Sequence, residues 1–99
     1  MNYAFHAEAE AELNQAVDYY NARQPDLGRD FAREVYAAIR NITTYPNAWT
    51  PLSKRTRRCL VNRFPYGVIY QVTDRGIFII AVMQLNRRPG YWRDRVTER

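Results

Sequence analysis

Polar and apolar positions along the chain change their period once, near the middle. From Ala7 to about Arg23, Leu13, Ala16, Val17 and Tyr20 recur at i, i+3, i+4 and i+7, while Glu8, Glu12 and Asn14 are expected to point away. This spacing predicts an amphipathic helix. Glu8, Glu10 and Glu12 occupy its opening turns, where the helix dipole favours negative charge. "NARQPDLG" interrupts the pattern with a proline, and Asp26 is placed to cap a second helix. Leu27, Phe31, Val35, Ala38, Ile39 and Ile42 keep helical spacing there, and the run ends near Tyr45 and Pro46. A connection this short makes the two helices an antiparallel hairpin.

Beyond Pro46 the helical period is lost. "YPNAWTPLSK" reads as a loop, and "TRRCLVNRF", "YGVIYQVT" and "GIFIIAVMQL" read as three successive strands. "FPYG" at 64–67 and "DRG" at 74–76 supply the turns between them, which predicts an antiparallel meander. The last of the three is apolar on both faces, as expected of an inner strand covered by helices on one side. "NYAFH" at 2–6 alternates and carries aromatics, so it adds a short first strand. The expected fold is α+β, in the order βααβββ, with a helical hairpin packed on an antiparallel sheet.

Composition narrows the class. Ninety-nine residues provide material for one core, so a single domain spanning 1–99 is expected. A hydrophobic share of 46% with 25% charged residues is ordinary for a globular chain. No run approaches the roughly 18 to 20 apolar residues of a membrane span. "MNYAFHAEAEAEL" has no basic region followed by an apolar stretch, so no secretory signal is expected. Cys59 is the only cysteine, which excludes an internal disulfide and suits a reducing cytoplasm. It lies in an apolar segment and reads as a small buried hydrophobe. One cysteine and one histidine, His6, cannot supply a usual metal ligand set, and the four glycines form no phosphate loop. Neither a metal nor another cofactor is expected, and His6 reads as structural.

Charge changes the picture further. Residues 1–50 carry four arginines against seven acids, net −3, and residues 51–99 carry eleven basic residues against three acids, net +8, which sum to +5. Fourteen of the fifteen basic residues are Arg, and the exception is Lys54. Arg favours planar, bidentate contacts with phosphate or carboxylate. The second half is thus suited to an anionic partner.

Two clusters carry this charge. "SKRTRR" holds Lys54, Arg55, Arg57 and Arg58 at the mouth of a strand that Arg63 closes. Alternation predicts that Arg55 and Arg57 point one way, and Lys54 and Arg58 the other. "NRRPGYW" follows the last strand, where Pro89 and Gly90 allow a reversal that holds Arg87, Arg88, Tyr91 and Trp92 together, with Arg93 and Arg95 close behind. Such a set can grip a phosphate, stack on a base or dock a protein. The plainer alternatives are a charged sheet edge with solvated arginines, and a Trp92 that caps the core. Any catalysis would have to use Arg, Lys and Tyr, stabilising a phosphate electrostatically while a tyrosine or lysine moves the proton.

"FHAEAEAELNQAVDYYN", "LGRDFAREV", "RRCLVNRFPYGVIYQV" and "IFIIAVMQLNRRPGYWRDR", in that order, resemble the RelE/ParE toxins of bacterial type II toxin-antitoxin modules. The resemblance spans nearly the whole chain, and its most specific part is "RFPYGVIYQV" with the arginines after the last strand. It implies a βααβββ fold and a growth-inhibiting toxin neutralised by a cognate antitoxin. In such modules the antitoxin wraps the toxin and itself binds operator DNA, and a half with net charge +8 fits an acidic neutralising segment of that partner. RelE-like members cleave mRNA on the ribosome without a metal, whereas ParE-like members inhibit DNA gyrase and are not nucleases. Under the nuclease pattern Arg63, Arg87, Arg88 and Tyr91 would be catalytic, and Lys54 is the only counterpart of the paired lysines. Under either pattern Lys54, Arg55, Arg57, Arg58, Trp92, Arg93 and Arg95 are candidates for binding nucleic acid or another target. Arg is a poor proton shuttle, and the long hairpin with its "YY" leans toward ParE. A ribosome-dependent endoribonuclease is the alternative, and an inactive basic binding module a further one.

Overall fold

The computed structural model describes residues 1–97. Strand β1 (Tyr3–Phe5) leads into helices α1 (Ala7–Arg23) and α2 (Leu27–Thr44), followed by strands β2 (Thr50–Pro51), β3 (Arg57–Leu60), β4 (Tyr66–Thr73) and β5 (Gly76–Gln84). A single turn of 3-10 helix, Arg93–Arg95, comes last. The sheet has the order β1-β5-β4-β3-β2, with β1 parallel to β5 and every other pair antiparallel. The α+β class, the helical hairpin and the meander are as the sequence predicts.

Three local features differ. The segment taken for loop contributes β2, which pairs Thr50 with Arg58 and Pro51 with Arg57. Proline is tolerated there because β2 is an edge strand and needs no donor on its outer side. The strand expected to run to Phe64 stops at Leu60, and Arg63 adopts a left-handed φ of 71° instead of closing it. Asp26 also has a left-handed φ, 68°, and its side chain makes no capping bond. It lies 3.8 Å from Arg29 instead.

His6 is a helix cap. Its Nδ1 accepts from the Glu8 N–H at 3.0 Å, which satisfies one of the donors that the first turn of α1 leaves open. The hairpin closes tightly at Gly28, whose N–H donates to Asn21 Oδ1 at 2.8 Å. A Cβ at Gly28 would lie 2.3 Å from the Val17 carbonyl oxygen, so only glycine permits this approach.

Both helices cover one face of the sheet. Leu13, Phe31, Val35, Ile39 and Ile42 pack there against Val68, Tyr70, Ile79 and Val82. Tyr70 is fully buried and donates its hydroxyl to the Pro46 carbonyl at 2.5 Å, tying β4 to the end of α2. The opposite face carries a second apolar cluster of Ile69, Ile80, Ala81 and Met83, covered by Trp92 and Val96. β5 is apolar on both faces because both are covered, and a bulge resets the facing of its later residues. Ile69 pairs with Ala81 and Tyr70 with Ile79, so Ile80 is an extra residue. The insertion puts Ile80 and Ala81 in one cluster and returns Val82 to the helix side.

Candidate functional site

On the sheet face away from the helices lies a groove of about 560 Å³. Its floor is apolar, with Leu52, Met83, Leu85 and the edge of Trp92, and Lys54, Arg55, Arg58, Arg87 and Arg93 surround it. Each cation arrives from a different local cause. Lys54 and Arg55 sit in the turn between β2 and β3, which Ser53 Oγ shapes by accepting from the N–H groups of Arg55 and Thr56, both at 3.2 Å. The alternation expected at 54–58 therefore begins only at Arg57: Lys54 and Arg55 line this groove with Arg58 and also border, with Arg57, a smaller cleft beside Tyr70 and Gln71.

Arg58 faces the groove because β3 pairs it with Ile69, a residue of the sheet face away from the helices. Its stem crosses Gly67, where a Cβ would stand 3.0 Å from both Cγ and Cδ of Arg58. Arg93 folds back over Gly90, whose φ of 76° and missing Cβ admit the guanidinium. Pro89 and Gly90 form the end wall.

Arg87 connects the groove to a second arrangement that the sequence reading missed, because Glu12, expected to point away, turns in against β5 and is only 13% exposed. Its guanidinium carbon stands 4.1 Å from the centre of the Tyr91 ring. The Tyr91 hydroxyl donates to Glu12 Oε2 at 2.7 Å, and Arg95 Nη1 donates to Glu12 Oε1 at 3.0 Å. The same oxygen of Glu12 accepts from the Val82 N–H at 3.0 Å, while Arg95 Nη1 also reaches the Ile80 carbonyl at 3.1 Å. Strand β1 ends at Phe5, so beyond Ile79 the outer edge of β5 has no neighbouring strand. Glu12 and Arg95 satisfy part of that edge and anchor the C-terminal segment to it.

The electrostatics follow from this arrangement. Burial first, then the hydrogen bond to the Glu12 carboxylate, holds the Tyr91 hydroxyl well above the usual phenol range. Burial opposes the charge of Arg95, but Glu12, Tyr91 and Glu8 outweigh it and raise its pKa above the ordinary value. Burial also pushes the Cys59 thiol up to about 11, so it stays protonated at neutral pH. Glu12 had a readable signal, because it stands three residues after Ala9 and four before Ala16, an acid on the flank of the buried stripe of α1.

The remaining sequence candidates are dispersed. Arg63 lies 3.8 Å from Asp30 of α2 and 5.4 Å from the centre of the Phe64 ring, away from the groove. Arg57 donates to the Trp49 carbonyl at 2.8 Å. Arg88 is exposed and does not line the groove. Trp92 is only 5% exposed and belongs to the second cluster. Arg95 is committed to Glu12. The fold thus gathers Lys54, Arg55, Arg58, Arg87 and Arg93, an array suited to holding an anion beside apolar side chains, while the nearby phenol is already a donor.

Comparison with known proteins supplies the family. The profile described as "ParE toxin of type II toxin-antitoxin system, parDE" matches residues 3–89. Toxin ParE2 of Mycobacterium tuberculosis, in two strains, is 37% identical over 78 residues, a match that covers 78% of this chain and 74% of that protein. A solved structure titled "Chromosomal ParDE TA system from P. aeruginosa" superposes with a TM-score of 0.76, covering 87% of this chain and 97% of that one. At 16% identity this last likeness speaks to the fold alone. With a family profile over most of its length and a relative at this identity, the chain belongs to the ParE toxin family of type II toxin-antitoxin systems.

Proposed function

We propose that this chain, as one domain spanning residues 1–99, acts in the cytoplasm as the toxin of a type II pair. In this reading it inhibits DNA gyrase without cutting nucleic acid, and a cognate antitoxin with an acidic segment neutralises it. Operator DNA is then reached only through the antitoxin. The observation that supports a non-nucleolytic action is the state of Tyr91. Its hydroxyl is spent on Glu12 and is held protonated, so it is poorly placed to take a proton from a ribose hydroxyl. Arg63, another residue of the nuclease pattern, lies against Asp30 and not beside Arg87.

Ribosome-dependent mRNA cleavage is the second reading. It draws on the gathering of Lys54, Arg58, Arg87 and Arg93 around one groove, which suits a phosphate. The two readings separate when the chain is expressed alone in a bacterial host and labelled thymidine and labelled amino acid are followed over the first minutes. Early loss of DNA synthesis with translation intact is expected, together with loss of supercoiling by purified gyrase. An early collapse of protein synthesis with cut codons on ribosome-bound mRNA would replace this reading with the nucleolytic one.

A further inference from the structure

The edges of the sheet are not protected alike. At one side β2 is two residues long, and one of them is Pro51, which has no N–H to offer a further strand. The outer edge of β5 beyond Ile79 is occupied by Glu12 and Arg95. β1 differs from both. It stands last in the sheet, and no Lys, Arg, Asp, Glu, proline or glycine occurs at 2–6. An edge without such devices is a template for another strand.

The hydrogen bonds of β1 fix what its free side offers. The Ile77 N–H donates to the Asn2 carbonyl at 2.8 Å and the His6 N–H to the Ile79 carbonyl at 2.9 Å, so Asn2, Ala4 and His6 turn their backbone groups toward β5. Alternation turns the N–H and C=O of Tyr3 and Phe5 outward. When two copies of β1 lie antiparallel about Ala4, Tyr3 of each stands opposite Phe5 of the other, and each such pair exchanges both of its backbone hydrogen bonds. Side chains suit the same register. Tyr3 is 45% exposed and meets the Phe5 ring edge-on at 6.1 Å, and Tyr36 of α2, also exposed, stands 6.4 Å from Phe5. Aromatic residues set across from one another in this way stabilise strand pairs. Charge selects the antiparallel direction. Asp74 and Arg75 form the turn beside Asn2 and Tyr3, while Glu8 and Glu10 follow Phe5 in the first turn of α1. Antiparallel pairing brings the Tyr3 end of one copy to the Phe5 end of the other, and with it Arg75 toward Glu10.

We propose that two copies of this chain associate through β1, antiparallel about Ala4, and so join their sheets into one. The strand is three residues long, so the pair is weak and its population depends on concentration. No residue of β1 lines the basic groove, which stays open in both copies. The pairing is independent of the target assigned above.

The test is the oligomeric state of the full chain, followed by sedimentation velocity from about 1 µM to about 200 µM, where a monomer should give way to a dimer. Tyr3→Pro removes an outward N–H and no bond to β5, and should weaken the dimer by about tenfold or more. Glu10→Arg should also weaken it, and adding Arg75→Glu should restore it. Ala4→Cys supplies a second readout. Ala4 is exposed and pairs with Phe78 on the face away from the helices. In the dimer it meets its own counterpart in a non-hydrogen-bonded pair, with Cα atoms about 4.5 Å apart and within reach of a disulfide. With oxidised glutathione as the oxidant, Ala4→Cys should cross-link and Arg29→Cys, at the exposed start of α2, should not. Cys59 is buried and takes no part. Thermal unfolding shows whether each variant folds, and cross-linking still reads the pairing if Tyr3→Pro does not. A chain that stays monomeric at the higher concentration would overturn the proposal, as would cross-linking no faster in Ala4→Cys than in Arg29→Cys. A dimer that Tyr3→Pro and Glu10→Arg leave unchanged is built on another surface and overturns it equally. If the chain alone is monomeric and the product of the adjacent small gene shields the Ala4→Cys thiol from a maleimide, the edge belongs to that partner and not to a second copy.

Discussion

A single carboxylate, that of Glu12, joins α1, the open edge of β5 and the C-terminal segment, and its removal isolates what that junction contributes. The side chains of Glu12 and Arg95 are only 13% and 11% exposed. Glu12→Ala would leave the Arg95 guanidinium without its main partner and the Val82 N–H without an acceptor. The expected loss is about 3 kcal/mol, measured by urea unfolding, since breaking such a pair leaves a poorly solvated charge. Three protonated groups predict an alkaline limit. Cys59, ordinarily 9.0, is raised to about 11, and Tyr70 to about 12 from 10.0, both by burial, while Tyr91 is raised by burial and by Glu12. A group whose folded pKa is raised stabilises fully below its unfolded value and loses that contribution as pH rises toward the folded one. Stability should therefore be insensitive to these groups at neutral pH and fall from about pH 9 upward. In Cys59→Ala the decline should begin about one unit later, which urea midpoints between neutral pH and pH 11 would show.

Elements were legible where local pattern decides them and illegible where distant contacts do. The helical period at Leu13, Ala16 and Tyr20 and at Phe31, Val35 and Ile39 places α1 and α2 closely. The two-sided apolar run of β5 announces an inner strand. The bulge at Ile80 is invisible in the run itself, because every residue nearby is apolar and a shift of face leaves no polar trace. Thr50–Pro51 reads as loop since a two-residue edge strand exists only through its pairing with Arg57 and Arg58. The groove was half legible. Charge marked Lys54, Arg58, Arg87 and Arg93, but the left-handed turn that takes Arg63 to Asp30 and the packing that buries Trp92 are tertiary outcomes. Two substitutions test the element contacts. Gly28→Ala forces α1 and α2 apart and should cost about 2 kcal/mol, a fall of roughly 8 to 16 °C in Tm for a chain this size. Trp92→Ala uncovers Ile69, Ile80 and Met83 and should cost about 3 kcal/mol or more, with increased binding of a hydrophobic dye.

The whole molecule is electrically divided, with −3 in residues 1–50 and +8 in residues 51–99. An acidic partner should therefore associate faster at low salt, and stopped-flow rates should fall steeply as ionic strength rises past the point where the screening length is about 8 Å. An association rate independent of salt would mean that the field of the second half does not guide the encounter. The parallel pairing of β1 with β5 has a consequence of another kind, in the order of synthesis. Tyr3 leaves the ribosome long before its neighbour in the sheet, Ile77, and the bond from Val82 to Glu12 closes a separation of 70 residues. Contacts between such distant parts form late because the loop they close is long. The helical hairpin is complete well before β4 and β5 exist, yet its apolar side has no sheet to cover until they emerge. A nascent chain halted before Gly76 therefore exposes the inner faces of both helices, and the native fold is reached only once β5 has been made.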